Sequence, residues 1–173
     1  MKPRKIAIIV NPAVGQDKPV LKIFNDVFTR NNIDWDIFIT KKSGDAKRFA
    51  YDASENGYDI VVAHGGDGTV KEVAHGLLGK TTPMAIIPGG TANILAIELN
   101  IPFDVASACN LISNCKNIKT IDTGNINNEF FILRVGMGFE ADMVRGATRS
   151  LKNMIGGFAY GLSALGDIFK SRN

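Results

Sequence analysis

The chain has 173 residues, 45% hydrophobic and 21% charged, with 20 basic and 17 acidic side chains and a net charge of +3. That balance supplies enough apolar surface to offset the entropy of ordering the chain, which excludes a largely disordered protein. The length suits one domain, or one domain and part of another, and the 18 glycines exceed the usual share of about 7%.

The charge is unevenly placed. From Met143 onward Arg145, Arg149, Lys152, Lys170 and Arg172 face a single acid, Asp167, whereas the preceding residues carry 15 bases and 16 acids. Such an end reads as a solvated face or as a patch turned to a membrane surface or phosphate. Nucleic acid is excluded as a partner, because no basic stripe with interleaved aromatics is present. Cys109 and Cys115 have neither a metal spacing nor a disulfide framework, so they read as small buried hydrophobes. No cleavable leader follows Met1, and no apolar stretch is long and uninterrupted enough to span a bilayer. The expectation is a soluble, cytoplasmic protein.

In chain order, Arg4 to Val10 is an apolar, β-branched run ended by Asn11-Pro12, and predicts a buried strand. Lys18 to Arg30 places Val20, Ile23, Phe24, Val27 and Phe28 at helical spacing. Asp34 to Ile39 alternates as a strand, and Asp45 to Glu55 predicts a helix stopped by Gly57. Asp59 to Ala63 predicts a third strand, running into His64 and then Gly65-Gly66-Asp67-Gly68-Thr69. A helix over Val70 to Leu78, a strand over Met84 to Ile87, and helices over Ala92 to Leu99 and Val105 to Ile112 follow. Strands alternating with helices predict βαβ units and a parallel sheet covered on both faces. After about Ile118 the pattern changes: Ile118 to Ile126 and Phe130 to Val135 read as a hairpin joined by Asn127-Asn128-Glu129. Farther on, Ile155 to Phe169 has one apolar helical face but four glycines, so as a helix it must pack on something.

Two glycine-rich loops leave neighbouring strand ends. In Gly65-Gly66-Asp67-Gly68-Thr69 the missing side chains let backbone N–H groups approach an anion, and the following helix adds its positive end. Asp67 repels phosphate, so its natural task is to orient a metal, a water or a hydroxyl; the bland reading is a tight turn with an aspartate cap. Gly89-Gly90-Thr91-Ala92-Asn93 repeats the design. Thr91 offers a hydroxyl to a phosphate or caps its helix, and Asn93 reaches a nucleotide or ties the loops together. Two such loops at adjacent strand ends imply a polyphosphate between them.

Three patterns carry less. Ala74 to Thr81 misses the first glycine of a phosphate loop and sits at a helix end. Gly136 to Ala141 fits a dinucleotide fingerprint but falls in the hairpin region. His64 and His75 have no metal spacing and read as packing or surface residues.

Asn11-Pro12 with Gly15, the Gly65 to Thr69 loop with Glu72, Gly90-Thr91-Ala92-Asn93 with Leu99 and Pro102, and Ile121-Asp122-Thr123-Gly124 followed by Phe130-Phe131 resemble the diacylglycerol kinase catalytic-domain family of lipid kinases. The first glycine loop is shared with NAD kinases and resembles that of phosphofructokinases; the Gly90 to Asn93 element points to the lipid-kinase branch. The resemblance implies a three-layer α/β/α parallel-sheet nucleotide-binding domain over residues 1–120, then the beginning of a β-rich second domain, a C-terminal β-sandwich, over residues 121–173. It implies ATP and Mg²⁺ as cofactors and transfer of the γ-phosphate to a lipid hydroxyl, that of diacylglycerol, at a membrane surface to which the protein is peripheral. Asp67 and Glu72 would be the catalytic carboxylates, serving a hydrated Mg²⁺ network. Asn11, Thr40, Gly65, Gly66, Asp67, Gly68, Thr69, Glu72, Gly90, Thr91 and Asn93 would surround the nucleotide.

Two departures stand out: Ile94 where many members carry Asp, and Val14 where a Ser or Thr often precedes the first glycine. The chain ends inside the second domain, so the family's general base and several metal-site carboxylates are expected beyond residue 173, and this chain is expected to turn over slowly or not at all. No metal site is assigned within it. The alternatives are an NAD-kinase-like phosphotransferase or a nucleotide-binding module without catalysis. The apolar stripe at Phe158, Leu162 and Leu165 would pack on the rest of the sandwich or, exposed, drive homo-oligomerisation.

Overall fold

The apolar run that opens the chain forms strand β1 (Arg4–Val10), buried from Ile6 to Val10. A strand buried on both faces belongs in the middle of a parallel sheet that has helices on each side. The computed structural model, which describes residues 4–14, 19–114 and 117–132, contains that sheet. Strands β2 (Ile33–Ile39), β1, β3 (Ile60–Gly65) and β4 (Met84–Pro88) lie side by side in this order, all parallel. The described residues fall in one compact unit, residues 1–133.

Side-chain alternation along the strands sorts the core into two layers. Ile6, Ile8, Val62 and Ile87 meet Phe24 and Phe28 of α1 (Val20–Arg30) and Val105, Ala108 and Cys109 of α5 (Val105–Asn114). On the opposite face Ala7, Ile9, Val61 and Ala63 meet α2 (Asp45–Glu55), α3 (Asp67–Gly76) and α4 (Ile94–Glu98). Phe24 and Phe28 are fully buried, each worth about 1.5–3 kcal/mol relative to exposure. Burial pushes the Cys109 thiol up to about 12, so it behaves as the inert small hydrophobe its sequence setting implies.

Among the described residues the expected elements are present, with altered ends: α3 spans Asp67–Gly76 where Val70 to Leu78 is expected, and of Ile118 to Ile126 only Gly124–Ile126 is strand. Helix α4 starts at Ile94 instead of Ala92, because Asn93 stands in the left-handed region at φ 50° and cannot be its first turn. Helix α5 runs two residues past Ile112, to Asn114. The hairpin consists of β5 (Gly124–Ile126) and β6 (Glu129–Phe131), antiparallel, around Asn127 and Asn128. Both turn residues have positive φ, 50° and 63°, as a two-residue turn matched to the strand twist requires. The hairpin seats on α3, where Phe130 is buried and stacks on His75 at 4.7 Å.

Gly15, Cys115, the Gly136 to Ala141 pattern, the Ile155 to Phe169 stretch and the basic excess after Met143 lie outside the described residues. No helix among the described residues is long and apolar enough to cross a membrane.

Candidate active site

Strand register decides where the loops gather. Val10 pairs with both Ile39 and His64, His64 with Ile87, and Gly65 with Pro88, so four strands end along one edge. From β1 the chain leaves to α1 on one face of the sheet; from β3 it leaves to α3 on the other. The divergence opens a crevice between β1 and β3, where ligands of open α/β sheets bind. Gly65 closes β3, and Asn11, Thr40, Gly66 to Thr69 and Gly90 to Asn93 follow strand ends on this edge.

Most of these residues hold one another. Asn11 donates from its backbone N to the His64 carbonyl at 3.0 Å and from Nδ2 to Thr69 Oγ1 at 3.1 Å. Thr40 donates its N–H and its hydroxyl to the Val10 carbonyl, at 2.9 and 3.3 Å. Thr69 lies over Gly65 so closely that a Cβ there would stand 2.5 Å from Oγ1. The two glycine loops meet backbone to backbone: a Cβ on Gly90 would collide with the Gly66 Cα, and Gly89 N donates to Gly65 O at 3.0 Å. Asn93 folds back on its own loop, accepting from Gly90 N at 2.9 Å and donating to Gly90 O at 2.7 Å. Asp67 adds a side-chain tie between the loops: its Oδ1 accepts from Ile94 N, the first residue of α4, at 2.7 Å. Gly68 is exposed, with no atom beyond its own helix backbone and chain neighbours within 4 Å of where its Cβ would be, and Thr91 is exposed as well.

Asp67 and Glu72 do not converge. Five residues of helix turn them about 140° apart, and the Glu72 carboxylate lies over the β2–α2 turn. There Oε1 accepts from the Ser43 hydroxyl and Oε2 from Gly44 N, each at 3.0 Å. Ser43, Gly44 and Asp45 were not singled out by sequence; a Ser-Gly-Asp run before a helix signals a turn, but not its partner. Asp45 accepts from Lys41 N and Lys42 N at 2.9 and 3.1 Å, bonds that hold its carboxyl below the usual range. Among the described residues no three His, Cys, Asp or Glu side chains group as a metal site would need.

His64 is a packing residue: 2% exposed, edge-on to Phe24 at 5.7 Å, with Nδ1 3.1 Å from the Ile87 carbonyl. Burial lowers its pKa from 6.5, so the neutral ring donates from Nδ1. His75 is shifted the same way, by burial and then by Lys47 and Lys71. The unfolded chain therefore binds protons that the folded one refuses, and stability falls as pH drops below 6.5. Urea midpoints measured from pH 7.5 to 5.5 should decline, and less steeply in His64→Gln. A flat profile would contradict the buried neutral ring.

Fold and site together define a parallel α/β domain whose loop-built site lies at the switch point between β1 and β3. The chain belongs to the diacylglycerol kinase catalytic domain family, which it matches over residues 5–126. It is 37% identical over 130 residues to a Pseudomonas aeruginosa protein named "Probable lipid kinase YegS-like", covering 73% of this chain and 42% of that one. A Staphylococcus aureus diacylglycerol kinase is 32% identical over 162 residues, covering 91% and 51%. The crystal structure of a Bacillus anthracis diacylglycerol kinase superposes with a TM-score of 0.66 at 33% identity, covering 76% of this chain and 46% of that one. The chain thus spans about half the length of these relatives.

Proposed function

We propose that the chain is the nucleotide-binding part of an ATP-dependent lipid kinase that phosphorylates a lipid hydroxyl, with diacylglycerol as acceptor. In this reading residues 1–120 hold the nucleotide and residues 121–173 open a second, β-rich domain. Gly68 is the observation that carries it. A glycine in a helix costs up to about 1 kcal/mol relative to alanine, and no atom beyond its own helix backbone and chain neighbours lies near enough to require one here. Helix α3 also has no side-chain cap, so its first-turn N–H groups are left to meet an anion beside the bare Gly68 backbone. A polyphosphate in the crevice accounts for both.

Asp67 in that first turn repels bare phosphate, which calls for a cation between them. Bound there, Mg²⁺ would neutralise the phosphate charge. The protein's own contribution is placement: the loop backbone cradles the phosphates, and Asn11, Thr40 and Thr69 keep the β1, β2 and β3 ends in register. In the transfer a bond forms between the lipid oxygen and the γ-phosphorus, the bond to the ADP oxygen breaks, and the hydroxyl proton passes to a base.

Gly68→Ala tests the site with opposite signs for fold and function. Without ligand the variant should be as stable as the parent or more so, by about 0.5–1 kcal/mol. The parent should gain thermal stability with MgATP, about 2.7 kcal/mol at a hundred times Kd, and the variant should lose most of that gain. A variant that keeps the full MgATP response would overturn the assignment. Radiolabelled ATP offered with diacylglycerol or with NAD to a protein that carries this domain at the full length of its relatives then identifies the acceptor, and label on NAD would overturn the lipid reading.

A further inference from the structure

We propose that Glu72 is a positioning residue that acts on the nucleotide site through the turn between β2 and α2. The inference rests on the nucleotide reading above and deepens it. Both oxygens of the Glu72 carboxylate are engaged, by the Ser43 hydroxyl and the Gly44 N–H at 3.0 Å each. Asp45 holds the preceding two residues through Lys41 N and Lys42 N. Four consecutive residues, Lys41 to Gly44, thus donate four hydrogen bonds to two carboxylates, one inside the turn and one across from it. Gly44 turns the chain at φ +87°, a conformation glycine adopts without strain, and its N–H donates to Glu72 across the seam. The turn directly follows Thr40, whose N–H and hydroxyl rest on the Val10 carbonyl at the crevice.

The first turns of α3 therefore govern three loops. Asp67 holds the loop after β4, Thr69 holds Asn11 after β1, and Glu72 holds the turn after β2. A carboxylate in this arrangement sets where the β2 end stands relative to the phosphate loops, while its charge is taken up by the turn.

The test compares Glu72→Ala, Glu72→Gln, Ser43→Ala and the Glu72→Ala/Ser43→Ala double variant of this chain. MgATP affinity is measured by calorimetry, with a Mg²⁺ titration at fixed ATP and amide exchange at Gly44. Glu72→Ala should weaken MgATP binding about tenfold, as a displaced positioning element does, and should speed exchange at Gly44. Ser43→Ala should weaken binding less, and the double variant should match Glu72→Ala, because both changes remove one connection. Glu72→Gln, which keeps an acceptor for Gly44, should retain most of the affinity. The Mg²⁺ midpoint should stay in place throughout. A shifted midpoint in Glu72→Gln would mean that Glu72 serves the metal directly, and strictly additive losses that Glu72 and Ser43 act independently; either would overturn the proposal. Unchanged affinity in every variant of a chain that binds MgATP overturns this proposal alone; a parent chain that does not bind MgATP overturns the nucleotide reading as well.

Discussion

Asp67→Asn is expected to weaken binding of MgATP by roughly tenfold or more while strengthening binding of ATP without metal. At about 4 Å a pair of unit charges near a protein surface interacts by about 4 kcal/mol, and a tenfold change in affinity needs only about 1.4 kcal/mol. The sign is the informative part. With Mg²⁺ between carboxylate and phosphate the charge attracts; with no cation it repels. Asparagine is the right replacement because its side-chain oxygen still accepts from Ile94 N, the bond that ties the loop after β3 to α4. Alanine would free that N–H and mix loss of charge with loss of loop geometry. The melting temperature of Asp67→Asn should stay close to the parent's, and calorimetry with ATP, with and without Mg²⁺, reads the two affinities. Equal changes in both would show that Asp67 does not face the phosphates.

The largest effect on the fold is expected at Gly76, the last residue of α3. Its Cα lies so close to α2 that a Cβ would collide with the Lys47 carbonyl oxygen and stand 2.9 Å from the Ala50 Cβ. A carbonyl within a helix cannot swing aside as a side-chain tip can, so Gly76→Ala must push two helices apart. Overpacking of this kind costs about 1–3 kcal/mol, and the better helix propensity of alanine offsets at most about 1 kcal/mol. For a domain of this size each kcal/mol lowers the melting temperature by about 4 °C. Thermal unfolding by circular dichroism measures it, and an unchanged midpoint would mean that the α2–α3 seam is slack. Since Glu72 spans the same seam to reach Ser43, the variant should also loosen the β2–α2 turn.

The layers were legible in sequence because their signals are local. Ile6 to Val10 reads as a doubly buried strand from its own composition, and Asp45 to Glu55 forms a helix with the expected ends. The two glycine loops were equally plain, since glycines between a strand and a helix are a pattern of adjacent residues. What escaped are contacts across sequence. Nothing near Glu72 announces that its carboxylate lies over a turn 28 residues earlier, nor does Asp67 announce its bond to Ile94, 27 residues later. Asn93 illustrates the limit differently. Its side chain satisfies Gly90 from a left-handed backbone, so α4 starts two residues later than apolar periodicity suggested. Periodicity registers which residues are apolar, and the backbone donor an asparagine answers leaves no trace in it.

Helix α3 is a short rod, 10 residues or about 15 Å long. One end is the first turn that faces the crevice; the other carries His75, stacked on Phe130 of the hairpin. A helix of this length bends little, so tilting one end moves the other. Seating of the hairpin at His75 and placement of the glycine loop at Asp67 are therefore carried by one rigid element, which the close contact at Gly76 holds against α2.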